Sequence, residues 1–318
     1  MALHILPRTL QYLEAVARTG SVQGASRSLG IAASAIDRQI IALEGSCQTP
    51  LFERHARGMR LTAAGETALQ MARRWRADED RLETELRNMR GEQHGTVRLA
   101  AMDSMVNTVL PALVSDFAER HPKINLSIEI MTPREAGQEL ENGSIDLAIA
   151  FNLPSDRNRH VLWSSPLPCG CVVGRGHPLW GRDGMTLSEA AQHPIAAQSR
   201  VLPSREYLDQ RYGWLFDPVE PALVTNSLQL LKQVLAQGRL MALSSRLDML
   251  AELAAGTLTF VPLTDKRLRP QTISVVVDSR RMMPRAARLV GEALATMVPQ
   301  KLGELDQTTA SIAPHPIR

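Results

Sequence analysis

Apolar positions recur at three- and four-residue steps through the first 44 residues, and small or polar residues interrupt them. Leu10, Leu13, Val16 and Ala17 predict an amphipathic helix over 8–19 that ends at Gly20. Ser21 is suited to cap a second helix, which carries Ala25 and Leu29 and stops near Gly30. A third helix is expected from about Ala33 to Glu44, with Ile36, Ile40 and Leu43 as its apolar stripe and Ser34, Asp37, Arg38 and Ile41 opposite. Two helices about a glycine break predict a helix-turn-helix. The period then shortens. In residues 49–66, TPLFERHARGMRLTAAGE, Leu51 and Phe52 read as a buried strand, Arg54, His55, Arg57 and Arg60 surround a turn at Gly58, and Met59 and Leu61 lead back. This predicts a basic β-hairpin, or wing.

Helical spacing resumes over 63–89. Trp75, Leu82 and Met89 are seven apart, with Leu86 four beyond Leu82, while Arg73, Arg74, Asp78, Glu79, Asp80 and Arg81 crowd the remaining surface. A narrow apolar seam on a charged helix suits a partner helix; packing on its own domain is the alternative. After the break at 91–95, strands alternate with helices. Strands are expected at 96–101, 125–131 and 145–151, with helices over 104–122 and 133–143 between them. A second set begins at 168–174 and continues with strands near 194–198, 221–225 and 240–245, then a strand at 272–278 and a helix over 284–298. The alternation predicts a mostly parallel sheet with helices on both faces. The segment from Gly303 reads as a flexible tail over 303–318.

A chain of 318 residues with 44% hydrophobic and 22% charged residues is long enough for two or three globular domains. No apolar run of about 18 residues exists, no secretory leader is visible over the first ten, and three cysteines make no disulfide framework. A cytoplasmic, non-membrane protein is expected. Seven Arg against four acids between Met1 and Thr62 give that segment a charge of +3, equal to the formal charge of the whole chain, so the remainder is close to neutral. Arginine suits planar recognition of phosphate and guanine. The eight histidines show no metal-ligand spacing, and no phosphate loop or nucleophile elbow appears, so neither a cofactor nor a catalytic set is expected. Cys169 and Cys171, two apart on one strand, read either as small core residues or as a strained redox pair.

The first ninety residues resemble the LysR-type transcriptional regulators. The likeness is carried by LQYLEAVARTGSVQGASRSLGI, SAIDRQIIALE and PLFERHARGMRLTAAGE, and it extends through LPALVSDFAERHPKINLSI, LENGSIDLAIAF, GHPL and NSLQLLKQVLAQGRLMAL to about residue 300. The resemblance implies an α+β multidomain chain: a winged helix-turn-helix DNA-binding domain at 1–62, a dimerising linker helix at 63–91, and an effector-binding domain at 92–302 resembling periplasmic binding proteins. One lobe would span about 95–166 completed by 267–300, and the other about 167–266. It further implies a double-stranded DNA operator, a small-molecule effector in the interlobe cleft (a carboxylate among the favoured classes), a homodimer or homotetramer, and RNA polymerase as a further partner. An α/β enzyme, or a ligand-binding module, with an appended DNA-binding domain is the alternative.

For DNA, the candidates are Ala33, Ser34, Asp37 and Arg38 on the leading face of the third helix, with Arg54, Arg57 and Arg60 on the wing. The family's usual Ser/Thr-Gln-Pro start is replaced by Ala32, Ala33 and Ser34, so the helix lacks a capping side chain and Ala33 makes no bidentate contact to adenine. Effector candidates follow from strand ends and helix starts, where free N–H groups collect. They are Ser104, Thr132, Phe151, Ser199, Asn226 and Ser227; by family position Ser104 and Thr132 match residues that bind carboxylate effectors.

Overall fold

The computed structural model describes residues 5–55, 58–89, 95–154, 156–199, 205, 209, 220–265 and 268–312. The chain divides into two compact units, the second beginning at Gly95, with Glu141–Ser144 grouped with the first.

The N-terminal unit opens with α1 (Arg8–Thr19), α2 (Val22–Leu29) and α3 (Ala33–Cys47). Gly20 and Gly30 end the first two helices in the left-handed region, at φ 69° and 67°, which costs glycine little. Ser21 caps α2 by accepting from the Gly24 amide at 3.0 Å, as the sequence predicts. Leu13, Val16, Ala25, Ile36 and Ile40 are buried together with Leu51 and Phe52. Helix α3 runs three residues beyond the expected end at Glu44. Gly45 does not break it, and the reversal comes at Gln48, whose φ is 52°. Glu44 explains where the chain turns: its Oε1 accepts from the Leu51 and Phe52 amides at 2.8 and 3.0 Å and ties the wing's first strand to α3.

The wing is β1 (Phe52–His55) paired antiparallel with β2 (Gly58–Leu61). It is fixed at its base, where the Thr62 amide donates to Leu51 O at 3.0 Å, and at its tip, where the Met59 amide donates to Gly20 O at 2.7 Å. Helix α4 (Ala63–Met89) follows. Trp75, Leu82 and Leu86 stay 45%, 44% and 38% exposed on it, which is the unburied seam the spacing implies.

The C-terminal unit holds two lobes. The first is a five-stranded sheet in the order β4-β3-β5-β12-β6, built from β3 (Gly95–Ala101), β4 (Ile124–Ile130), β5 (Leu147–Phe151), β6 (Arg159–Leu167) and β12 (Gln271–Asp278). Helices α5 (Val109–Arg120), α6 (Pro133–Asn142) and α10 (Arg285–Ile312) accompany it. The core is Leu99, Leu113, Phe117, Ile149, Val275 and Leu294 with their neighbours. The second lobe has β7 (Cys169–Gly174) between β10 (Met241–Ser245) and β11 (Leu258–Pro262), a parallel pair of β8 (Ala196–Gln198) and β9 (Leu223–Thr225), and helices α7 (Leu187–Ala190), α8 (Leu228–Leu235) and α9 (Leu250–Ala254).

Four points of the expected architecture need correction. The sheets are mixed: β3 pairs parallel with β4 and β5, but β12 runs antiparallel to β5 and β6, and β7 is antiparallel to both neighbours. The sequence reading missed β6 and β11, because Pro166 and Ser164–Ser165 blur the alternation of one and the other is only five residues long. The helix expected over 104–122 starts as a 3-10 turn at Asp103–Met105 and becomes α-helical only at Val109. The last helix passes Pro299 and reaches Ile312, so residues 303–312 are helical rather than tail. Met297, Val298 and Leu302 pack on the lobe core and carry it past the proline, and Lys301 pairs with Glu304 at 2.9 Å beyond it. Residues 313–318 lie outside the described residues.

Candidate functional site

On α3, Ile36 and Ile40 are fully buried and fix the helix's rotation, so the opposite stripe faces outward. Ser34 and Arg38 are exposed, and Ala33 and Asp37 are half-buried. Ala32 occupies the cap position with no side-chain hydrogen bond, so no side chain closes the helix start. Among the described residues, the Arg38 guanidinium bonds the Ser34 carbonyl through Nε at 3.3 Å. Asp37 pairs across to the wing, its Oδ1 accepting from Arg54 at 2.8 Å. Arg60 is exposed on the second strand opposite Glu53. Arg57 lies outside the described residues. The structure thus places Ser34, Arg38 and Arg60 at the surface and ties Asp37 to Arg54, a link that sequence spacing did not reveal. Gln39 is exposed beside Arg38 and accepts from Thr9 Oγ1 at 2.9 Å.

In the C-terminal unit, a cavity of about 360 Å³ brings Ser104, Thr132, Phe151 and Asn226 together, within the range of small-molecule sites. Ser104, Met102 and Asp103 come from the turn after β3, Thr132 and Glu135 from the start of α6, Gln198 from the end of β8, and Asn226 and Leu228 from the start of α8. Strand ends and helix starts thus converge there. Ser104 is 5% exposed and its hydroxyl has no hydrogen-bond partner. Thr132 is occupied: its amide and hydroxyl both donate to Glu135 Oε2 at 2.8 Å. Those bonds hold the Glu135 carboxyl below its ordinary range. Ser199 and Ser227 do not line the cavity. Ser199 donates its amide to Thr225 O at 2.8 Å, and the Ser227 hydroxyl caps α8 by accepting from Leu230 N at 3.2 Å.

Asp248 was not anticipated. It lines the cavity while 5% exposed, and Oδ2 accepts from Ser244 Oγ, Ser245 Oγ and the Ser245 amide at 2.8, 2.8 and 3.1 Å. Burial pushes its carboxyl up, against the hydrogen bonds from Ser244 and Ser245 and the charge of Lys232. An acid inside the apolar run LMALSSRLDML was the available signal. Cys169 and Cys171 are buried on β7; burial raises both thiols, Cys169 to about 12, which keeps them protonated. Among the described residues no cluster of His, Cys, Asp and Glu has the geometry to hold a metal, and no helix is long and apolar enough to cross a membrane.

A winged helix-turn-helix with an arginine-bearing outer face, carried on one chain with a two-lobed cavity domain, defines the class of ligand-binding helix-turn-helix regulators. Comparison with known proteins makes the assignment particular. Residues 7–66 match the bacterial regulatory helix-turn-helix protein model of the lysR family, and residues 90–298 match the LysR substrate binding domain. The chain belongs to the LysR family of DNA-binding transcription regulators.

Among relatives, it is 28% identical over 207 residues to the HTH-type transcriptional regulator SsuR of Burkholderia cenocepacia, covering 63% of this chain and 65% of that protein. It is 27% identical over 278 residues to a probable nitrogen assimilation transcriptional activator of Synechococcus elongatus, covering 86% and 90%. Its fold is similar to full-length CbnR in complex with its target DNA, with a TM-score of 0.62 at 20% identity over 92% of this chain and 99% of that one. A full-length OxyR variant from Pseudomonas aeruginosa gives a TM-score of 0.67 at 16% identity, over 93% and 96%.

Proposed function

We propose that this chain reads a double-stranded operator in the cytoplasm through the outer face of α3, with the wing on flanking phosphates, and that a small molecule in the interlobe cavity changes that grip. Ser34 and Arg38 reach base edges, Arg54 and Arg60 reach the backbone, and Ala33 leaves room for close approach. Asp37 sets the orientation of Arg54. Ser104, Thr132, Phe151 and Asn226 line the effector site, with Ser199, Ser227 and Arg57 as further candidates. The exposed Trp75–Leu82–Leu86 seam joins two copies into a dimer, and pairs of dimers into a tetramer, which spaces the wings along DNA. RNA polymerase is the partner through which the bound assembly acts.

The observation that carries this reading is the outer face of α3: Ile36 and Ile40 on its inward stripe are fully buried while Arg38 stands exposed, with no acidic partner among the described residues, beside an anchored basic wing. Effector and DNA act reciprocally, because a ligand that favours one quaternary state must be favoured by the DNA that selects it. Selection of bound fragments from random DNA with the full chain, followed by footprinting, tests it. Enrichment of a sequence with two half-sites supports the reading, and retention of random fragments without enrichment contradicts it.

A further inference from the structure

The lining of the interlobe cavity has a sign. Three carboxylates, Asp103, Glu135 and Asp248, border it, and among the described residues no Lys, Arg or His does. The position where a bound carboxylate would meet the start of α6 is already filled from within the chain, since Glu135 takes both the amide and the hydroxyl of Thr132. The nearby cation Lys232, 3% exposed, lies 3.0 Å from Glu252, which shares the charge it also exerts on Asp248, and it does not line the cavity. Asp248 is buried, and Ser244 Oγ, Ser245 Oγ and the Ser245 amide all bond its Oδ2. Also lining the cavity, from the turn after β3 in the first lobe, is the buried Ser104 hydroxyl, which lacks a partner among the described residues. A buried polar group with nothing to bond is costly unless a ligand completes it.

Resting on the effector reading above, we propose that the effector is a compact cation, a primary amine with an apolar body, whose ammonium lies between Asp248 of one lobe and Ser104 of the other. An ammonium has three donors, which suits a carboxylate oxygen, the hydroxyl oxygen of Ser104 and the side-chain carbonyl of Asn226 or Gln198. It supplies the positive charge that burial denies Asp248. The apolar body faces Met102, Met131, Phe151 and Leu228. Because the two anchors belong to different lobes, such a ligand links the lobes directly, which is what an effector that changes their relation must do.

The test is calorimetric titration of the full chain with a matched pair of probes, phenethylamine and hydrocinnamate, which share the phenyl and ethylene groups and differ in the sign of the head. The expected result is an amine that binds at least about tenfold tighter than the acid, and loses about tenfold in Asp248→Asn while that variant keeps its circular dichroism. The wild-type comparison of the two probes carries the test even if Asp248→Asn does not fold, and Ser104→Ala, which removes an unpartnered hydroxyl, should weaken the amine more than the acid. Tighter binding of hydrocinnamate, or equal amine binding by wild type and Asp248→Asn, overturns the charge assignment and leaves the effector cavity standing. Binding of neither probe at millimolar concentration, in protein that still binds DNA, overturns both.

Discussion

Asp37 sits on the outward stripe of α3, where, on the proposed reading, a carboxylate would be expected to accept from cytosine N4 or to repel phosphate. The structure gives it a different task, holding Arg54 at 2.8 Å with side-chain exposures of 34% for Asp37 and 52% for Arg54. An ion pair this exposed is worth about 0.2–1 kcal/mol, so releasing Arg54 to a phosphate costs a factor of about 1.4–5 in affinity. Asp37→Ala removes that cost and one negative charge from the surface. It should therefore tighten binding about two- to fivefold on selected and scrambled duplexes alike, with little change in the dependence of log affinity on log salt, because Arg54 meets phosphate in both proteins. Fluorescence anisotropy titrations at several salt concentrations measure both. Arg54→Ala should weaken binding, and the double variant should show a coupling of about 0.2–1 kcal/mol. The reasoning is refuted if Asp37→Ala weakens binding to the selected sequence and spares the scrambled one, because the carboxylate would then be reading a base.

Ala32→Ser should add the missing cap to α3, at an exposed position with φ −55° and ψ 132°, and stabilise the DNA-binding unit by about 1 kcal/mol, seen as a rise of about 4–8 °C in its melting transition; an unchanged transition would show that the helix start is satisfied another way. Gly58→Ala should loosen the wing tip, because φ is +135° and a Cβ would come 2.4 Å from the Gly20 carbonyl oxygen; the expected cost is about 1–3 kcal/mol, with weaker binding to every duplex in the same anisotropy assay. Asp248 gives a pH signature. Its carboxyl is raised in the folded state, so its contribution is present below its ordinary value of 3.8 and fades as pH rises through the folded value. Melting curves from about pH 4 to about pH 7 should show wild type losing ground to Asp248→Asn, and parallel curves would contradict the buried-acid assignment.

The helix-turn-helix was legible because local rules fix it: glycines at 20 and 30, a serine cap at 21 and an apolar stripe ending in Ile40 all point to the same local structure. The cavity's position was legible in part, since strand ends followed by helix starts are visible as Ser104, Thr132 and Asn226. What escaped the sequence were pairings between distant segments. The reach of Arg54 to Asp37 and the presence of Asp248 in the same cavity as Ser104 depend on tertiary geometry. Strand direction escaped for the same reason: β12 enters the first sheet antiparallel from more than a hundred residues downstream of β5, and alternation alone carries no direction.

The central claim is that the outer face of α3 reads bases. Titration of Arg38→Ala against the operator obtained by selection, and against a scrambled duplex of the same composition, tests it most directly. The account predicts a loss of about 1–3 kcal/mol on the operator, roughly 5- to 150-fold, with little change on the scrambled duplex. Equal affinity of wild type and variant for the operator would contradict it.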